Sequence, residues 1–320
     1  MTLLVEVHVL AGAMPSSVAI TTDVLATANR LRALQSRPPI FRIQLSGSGA
    51  RAARAFLGVV GNADTHHPAD IIVVPGLGVS TEEEIRLRMS RPDISRAKQM
   101  LERAAANGGE IATSCSGVFL LASTGLLDGR RATTSWWLAP LFGRFYPRVQ
   151  LETGALVVRD DRFVSAGAAM AQMDLMLSLV ARHADAALAN QCSRYLLLDQ
   201  RRSQSRYMAL GFLASIDPHV ARAEAWARDR LHEEFTVDEL AAAAGLAPRT
   251  FARRVRQTTG LSPVRFVQRL RVDAAVALLE TTKLIVDEVA IRVGYAEPST
   301  LRRLIRRDSG RLPRELRVQV

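Results

Sequence analysis

The chain has 320 residues, 48% of them hydrophobic, and a formal net charge of +11. That length suits about two domains, each able to bury a core. No apolar run approaches the roughly 18 residues a membrane span requires, and two cysteines, Cys115 and Cys192, are too few for a zinc cluster or a secreted disulfide framework. The opening residues MTLLVEVHVLAGAM lack a basic stretch and run on into strand-like sequence, so no signal peptide and a cytoplasmic location are expected.

Residues 2–10 run apolar, like a buried strand. From Ser17 to Leu34 the spacing is helical, with Val18, Val24, Leu25, Ala28 and Leu31 on one side. Residues 40–46 read as a strand and 54–60 as another. The run IIVVP at 71–75 is a β-branched strand ending in Gly76 and Gly78. One helix is predicted over 81–106, with Thr81 as its cap and Glu82, Glu83 and Glu84 at its positive end. Asn107-Gly108-Gly109 stops it. A strand at 110–113 then turns sharply at Cys115 into the helix GVFLLASTGLL. A strand pair near 155–166 and a helix from Ala169 to Arg182 complete the pattern. Strands alternating with helices predict an α/β domain, a mostly parallel sheet with helices on both faces. It spans 1–198. A polar, basic linker, 199–217, opens with DQRRSQS, and an all-α domain fills 218–320.

That last domain contains one frame twice: TVDELAAAAGLAPRTFARRVRQTTG at 236–260 and VDEVAIRVGYAEPSTLRRLIRRDSG at 286–310. In the first copy Thr236 and Glu239 form a capping box, Gly245 permits a tight turn, and Pro248 opens the next helix. Phe251 and Val255 face inward, which leaves Arg249, Thr250, Arg253, Arg254 and Arg256 outside. In the second copy Gly294 and Pro298 take the same places. Leu301, Leu304 and Ile305 face inward; Ser299, Thr300, Arg302, Arg303, Arg306 and Arg307 stay outside. Between Pro298 and Arg314 six arginines meet a single acid, Asp308. A helix-turn-helix that reads duplex DNA needs a small-residue helix, a glycine turn and a second helix with a basic outer face. One copy alone reads equally well as a plain helical hairpin; two in register favour DNA. A helix from Ser262-Pro263 to about Glu280 separates them.

The signals AAAAGLAPRTFARR, TGLSPVRFVQRLRVDAAVALLETT, VDEVAIRVGY and GRLPRELR resemble the AraC/XylS family of transcription regulators. By position the family's base-reading residues fall on Arg249, Ala252 and Arg253, then Ser299, Arg302 and Arg303. Ala252 offers a base edge only a methyl contact. Ala247 and Ile285 stand where the family has Ser or Thr caps. Leu301, Ile305 and Val255 stand where it commonly has Phe.

A cysteine on a strand-to-helix turn, as in IATSCSGVFLL, is placed like a nucleophile elbow. Read locally, such a thiol is exposed at a helix N-terminus, which lowers its pKa. A lone Cys in such a phrase is more often a buried apolar residue. With PGLG at 75–78 and GLLDGRRATT at 125–134, the region resembles the DJ-1/PfpI, class I glutamine-amidotransferase-like fold. Joined to the C-terminal module, it resembles GlxA-type regulators. The resemblance implies a flavodoxin-like sheet and an effector pocket, commonly for small nitrogenous metabolites. Enzymes of the fold pair the Cys with a His and an acid. Here those positions read Ser135 and Ser17, and Asp23 matches an acid often seen inside the helix. No catalytic residue, metal or cofactor is therefore expected. The candidate ligand residues are Cys115, Ser116, Asp23, Gly76, Leu77, Gly78, Ser135 and Ser17, with Trp136 and Trp137 as further pocket candidates. His66 and His67 fall in a loop without an assigned role. The expected partners are double-stranded DNA, a small-molecule effector and a second copy of the chain through the N-terminal domain, with no membrane. The competing reading is a thiol-dependent amidase or hydrolase with an accessory DNA-binding module.

Overall fold

A computed structural model describes residues 2–57, 68–199, 201 and 203–317 and divides them between two units, Met1–Gln204 and Ser205–Val320. In the first unit strand β1 (Leu3–His8) leads into helix α1 (Pro15–Ala33) and β2 (Phe41–Ser46) into α2 (Ala50–Leu57). Strand β3 (Ile71–Val74) is followed by α3 (Glu82–Met89) and α4 (Pro92–Ala106), and β4 (Glu110–Ser114) by α5 (Gly117–Ala122). A small sheet of β5 (Arg131–Ala132) and β6 (Gln150–Leu151) brackets α6 (Ala139–Phe145). The hairpin β7 (Val157–Asp160) and β8 (Phe163–Ala166) precedes α7 (Gln172–His183) and α8 (Ala186–Tyr195).

The main sheet has the order β2-β1-β3-β4-β8-β7, parallel throughout except for the β7–β8 pair. Strand β3 is buried at all four positions because helices cover both faces. Its side chains alternate: Ile71 and Val73 pack with Leu25 and Ala28 of α1, Leu175 of α7 and Leu188 of α8. Ile72 and Val74 pack with Ile94 and Leu101 of α4 and Phe119 of α5. In such a sheet ligands bind beyond the carboxyl ends of the strands, where the strand order reverses. Here that crevice lies between β1 and β3, with the β4 turn next to it. Among the described residues no helix is long and apolar enough to cross a membrane.

Three expectations change. The strand expected over 54–60 is the helix α2 as far as Leu57; residues 58–60 lie outside the described ones. Ala50, Ala53 and Leu57 recur at helical spacing and pack on Val9, Val18 and Leu45. The helix expected over 81–106 is two helices. Pro92 has no N–H to continue α3, yet suits the first turn of α4. Thr81 and Glu84 do form a capping box. Helices α6 and α8 and the β5–β6 sheet add elements that the strand and helix periods did not announce.

The second unit is helical: α9 (Leu210–Ser215), α10 (Pro218–Asp229), α11 (Val237–Ala243), α12 (Pro248–Thr259), α13 (Pro263–Thr281), α14 (Val286–Arg292) and α15 (Pro298–Ser309). Helices α11–α12 and α14–α15 are the two helix-turn-helix pairs. Thr236 and Glu239 cap α11 reciprocally. Gly294, in the second turn, has φ +80°, and a Cβ there would stand 2.2 Å from the Leu231 carbonyl oxygen, so only glycine fits. Phe251 and Val255 of α12 are fully buried, as are Leu301 and Ile305 of α15. Helix α13 serves both halves: Phe266 and Leu270 are buried in its first part, while Val272, Ala275 and Leu279 join the core of the second pair. Its 19 residues span about 28 Å at 1.5 Å per residue. The expected linker, 199–217, is divided by the unit boundary, and its last third is already helix α9.

Candidate functional site

The cysteine turn, at the end of β4, is built against the ends of three other strands. Cys115 follows β4 with φ +53°, a left-handed conformation that costs a non-glycine residue of order 1 kcal/mol and marks elbows of this kind. Its amide donates to the carbonyls of Ala166 (3.0 Å), the last residue of β8, and Gly167 (2.8 Å), the next. Its carbonyl accepts the Thr134 hydroxyl at 2.8 Å, and its Sγ accepts the Ser135 hydroxyl at 3.0 Å. From β3, Gly76 comes so close that a Cβ would lie 3.3 Å from Cys115 Cβ. The Leu77 amide donates to Ser116 Oγ at 2.9 Å. From β1, the Met14 amide donates to the Gly76 carbonyl at 2.8 Å, and a Cβ on Gly78 would strike the Gly12 carbonyl at 2.2 Å.

Cys115, Ser116, Ser135 and the Gly76–Gly78 loop are thus brought together. Ser17 lies one turn past Met14, fully buried, with a hydroxyl that finds no partner among the described residues. Asp23 is not brought there. It sits on the solvent side of α1, whereas Ser17, Thr21, Val24 and Leu25 face inward. Trp136 and Trp137 stack edge to face, 5.3 Å between ring centroids, and Trp137 packs on the α4–α5 core. His66 and His67 lie outside the described residues.

The exposed, acidic thiol read from the helix N-terminus is corrected. Cys115 is 4% exposed, and burial pushes its pKa up, outweighing the Ser135 hydroxyl and the Ser116 amide that pull it down. The local sequence shows the helix end; it does not show that loops from β1, β3 and β8 close over it. At neutral pH the sulfur is a thiol, a poor nucleophile. Its polar neighbours among the described residues are Ser135, Ser116 and backbone amides, and no imidazole or carboxylate stands beside it. The hydroxyls of Thr113 and Ser114, buried just ahead of the turn, also lack partners. Buried polar atoms left unpaired at a strand-end crevice suit an occupant able to hydrogen-bond.

The basic faces divide more finely than helical periodicity suggests. On α12, Arg249, Arg253 and Arg256 are exposed and Thr250 is half-buried. Arg254 instead turns to Asp217, Nη1 to Oδ2 2.7 Å, with the Asp side chain 15% exposed. Burial raises the Asp217 pKa, but Arg254 and the amides of His219 and Val220 outweigh it and hold the carboxyl below its ordinary range. Asp217 is also the N-cap of α10, so Arg254 ties α12 to the helix before the motif. Sequence reading missed this because the two residues lie 37 positions apart. On α15, Ser299, Arg302, Arg303, Arg306 and Arg307 are exposed and Thr300 half-buried. Arg302 meets Asp287 of α14 at 2.6 Å, and Arg307 meets Asp308 at 2.6 Å. Ile285 caps α14 incompletely: Glu288 accepts its amide at 2.9 Å, but the side chain has nothing to return. Ala247 gives α12 no side-chain cap either.

Residues 58–182 match the DJ-1/PfpI family, and residues 240–319 match a helix-turn-helix domain. The chain is 27% identical over 220 residues to the HTH-type transcriptional regulator GbdR of Pseudomonas aeruginosa, covering 68% of this chain and 60% of that one. It is 30% identical over 211 residues to CdhR of the same species, covering 65% and 62%. With GlxA of Rhizobium meliloti the identity is 24% over 228 residues, covering 70% of each. The match therefore spans under two thirds of GbdR and CdhR, while its two ends fall in both units of this chain. Residues 58–182 thus carry the DJ-1/PfpI match and residues 240–319 the helix-turn-helix match, and across both units the chain is similar to HTH-type transcriptional regulators that include GlxA.

Proposed function

We propose that this chain is a sequence-specific DNA-binding transcription regulator. In this reading it works in the cytoplasm as a homodimer through its N-terminal unit, and it responds to a small metabolite held, not transformed, at the Cys115 turn. One observation carries the DNA reading: the same helix-turn-helix frame occurs twice, each copy with exposed arginines on the outer face of its second helix. Arg253 and Arg303, at matching positions, are the guanine readers. Arg249 stands at a further base-reading position; Arg256 and Arg306 grip phosphates, as does Arg307 once drawn from Asp308. Ser299, the counterpart of Arg249, stands at a base-reading position, and Thr300 contacts the backbone where α15 begins. The neutral thiol, without a base beside it, supports a sensing pocket over a hydrolase.

The test is selection of bound sites from random duplexes, followed by titrations at several salt concentrations. Arg303→Ala should cost about 1–3 kcal/mol and relax preference at one base pair. Arg306→Ala should weaken every sequence alike and lower the salt slope by about 0.9. Equal losses on selected and random DNA for Arg303→Ala would remove that helix as a base reader. A thermal-shift screen of small nitrogenous metabolites tests the sensing half, and sedimentation tests the dimer.

A further inference from the structure

The last residues of the first unit are fastened to the cysteine turn. Arg201 Nη2 donates to the Met170 carbonyl (2.6 Å) and Asp174 Oδ2 (2.5 Å). Ser203 pairs with Ala155 as an isolated bridge, and its hydroxyl donates to the Gly154 carbonyl at 2.6 Å. Gln204 is the firmest point, with 1% of its surface exposed. Its amide donates to the Gly154 carbonyl at 3.0 Å. Its side-chain Nε2 lies within reach of the carbonyls of Thr134 (2.8 Å), Thr153 (2.9 Å) and Ala155 (3.2 Å) and of Thr133 Oγ1 (3.3 Å). Four acceptors around one nitrogen fix which end of the amide is which.

Two of the groups around that amide are the ones that hold Cys115. Thr134, whose carbonyl takes the Gln204 bond, gives its hydroxyl to the Cys115 carbonyl. Gly167, whose carbonyl takes the Cys115 amide, lies under the Gln204 side chain so closely that a Cβ would stand 2.6 Å from Oε1. Ser135, next after Thr134, holds the sulfur. The following residue in the chain, Ser205, opens the DNA-binding unit.

We propose that Gln204 couples the occupancy of the cysteine turn to the DNA-binding unit: a change at Cys115 moves Thr134 or Gly167, loosens the Gln204 amide from its pocket and frees the segment 201–205. This rests on the sensing reading above and adds how the site is read out. The Oε1 of Gln204 is buried without a partner among the described residues, so the seated state carries a built-in penalty. Such a bond set is suited to a two-state catch, because small shifts at a packed contact switch it between discrete arrangements.

The test uses the full chain and hydrogen–deuterium exchange over 201–208, where the Gln204 amide is protected. Cys115→Met overfills the buried turn. Thr134→Val keeps the side-chain shape and removes the hydroxyl bond to Cys115. Each should speed exchange over 201–208 by about tenfold, the factor that corresponds to losing about 1.4 kcal/mol. Neither should add to the rate already reached in Gln204→Ala. Unchanged exchange in a folded Thr134→Val chain overturns the proposal, as does an effect that adds fully to Gln204→Ala. If Cys115→Met fails to fold, Thr134→Val decides. The wild-type chain is also titrated with a random-sequence duplex. No binding there defeats the DNA reading whatever the exchange shows; binding with unmoved exchange defeats only the coupling.

Discussion

Replacing Arg254 by Ala is expected to destabilise the second unit and leave the salt dependence of DNA binding nearly unchanged, while the same change at Arg256 does the reverse. The two residues lie two positions apart on α12, and sequence periodicity gives both to the DNA side. The structure separates them. Arg254 is bonded to Asp217 at 2.7 Å, with side chains 38% and 15% exposed. A hydrogen bond to a charged group contributes about 1.5–3 kcal/mol when buried, and an exposed ion pair about 0–1 kcal/mol. The pair lies between those limits, and Asp217 keeps its bonds from the His219 and Val220 amides after the change. The loss should therefore be about 1–1.5 kcal/mol. Arg256 is exposed on the same helix. Its removal should leave stability within about 0.5 kcal/mol and lower the salt slope by about 0.9. Calorimetry of the full chain reads the first quantity, and duplex titration from low to high salt reads the second. If Arg254→Ala unfolds like wild type and loses a unit of salt slope, Arg254 leaves Asp217 to grip a phosphate, and the ion pair is no structural tie.

Ile285→Thr should complete the capping box with Glu288 and stabilise the second unit by about 1 kcal/mol, visible as a higher melting temperature; no change would mean the exposed Ile285 makes an apolar contact of equal worth. Burial raises the Glu110 pKa, but His183 and Arg159 outweigh it and hold the carboxyl below its ordinary value. With the folded pKa depressed, its stabilisation is complete above the unfolded value of about 4.3 and fades as pH falls through the folded one. Glu110→Gln should thus flatten the acid side of a melting-temperature profile below about pH 4.5, and an unaltered slope there would discard the assignment. Cys115 should resist iodoacetamide in the native chain at neutral pH, with amide or ester hydrolysis no greater than in Cys115→Ala. Alkylation at the rate of a free thiol, or turnover lost in that variant, would return the enzyme reading.

Some of this was plain in the order of residues. Four β-branched residues in a row at 71–74 announce a strand covered on both sides, and the doubled frame at 236–260 and 286–310 announces its own architecture. What stayed hidden depends on distant partners. Helix α2 looked strand-like because its apolar positions pack on β1 and β2, not on one another. The cysteine turn was legible as geometry, but its burial depends on Gly76, Ser135 and Gly167, which lie 20 to 52 positions away. Polar, basic residues at 201–204 read as a linker, since nothing local shows Gln204 lodged against Thr134.

The two halves of the reader are alike in frame and unlike in face. Where α12 carries Ala252, α15 carries Arg302, and where α12 carries Arg249, α15 carries Ser299. A single chain laid along a duplex therefore has a left and a right. Turned end for end on the same base pairs, it presents the wrong helix to each groove and loses both sets of contacts. Orientation is thereby written into the binding site itself: a site carried in reverse is read only by the chain turned end for end.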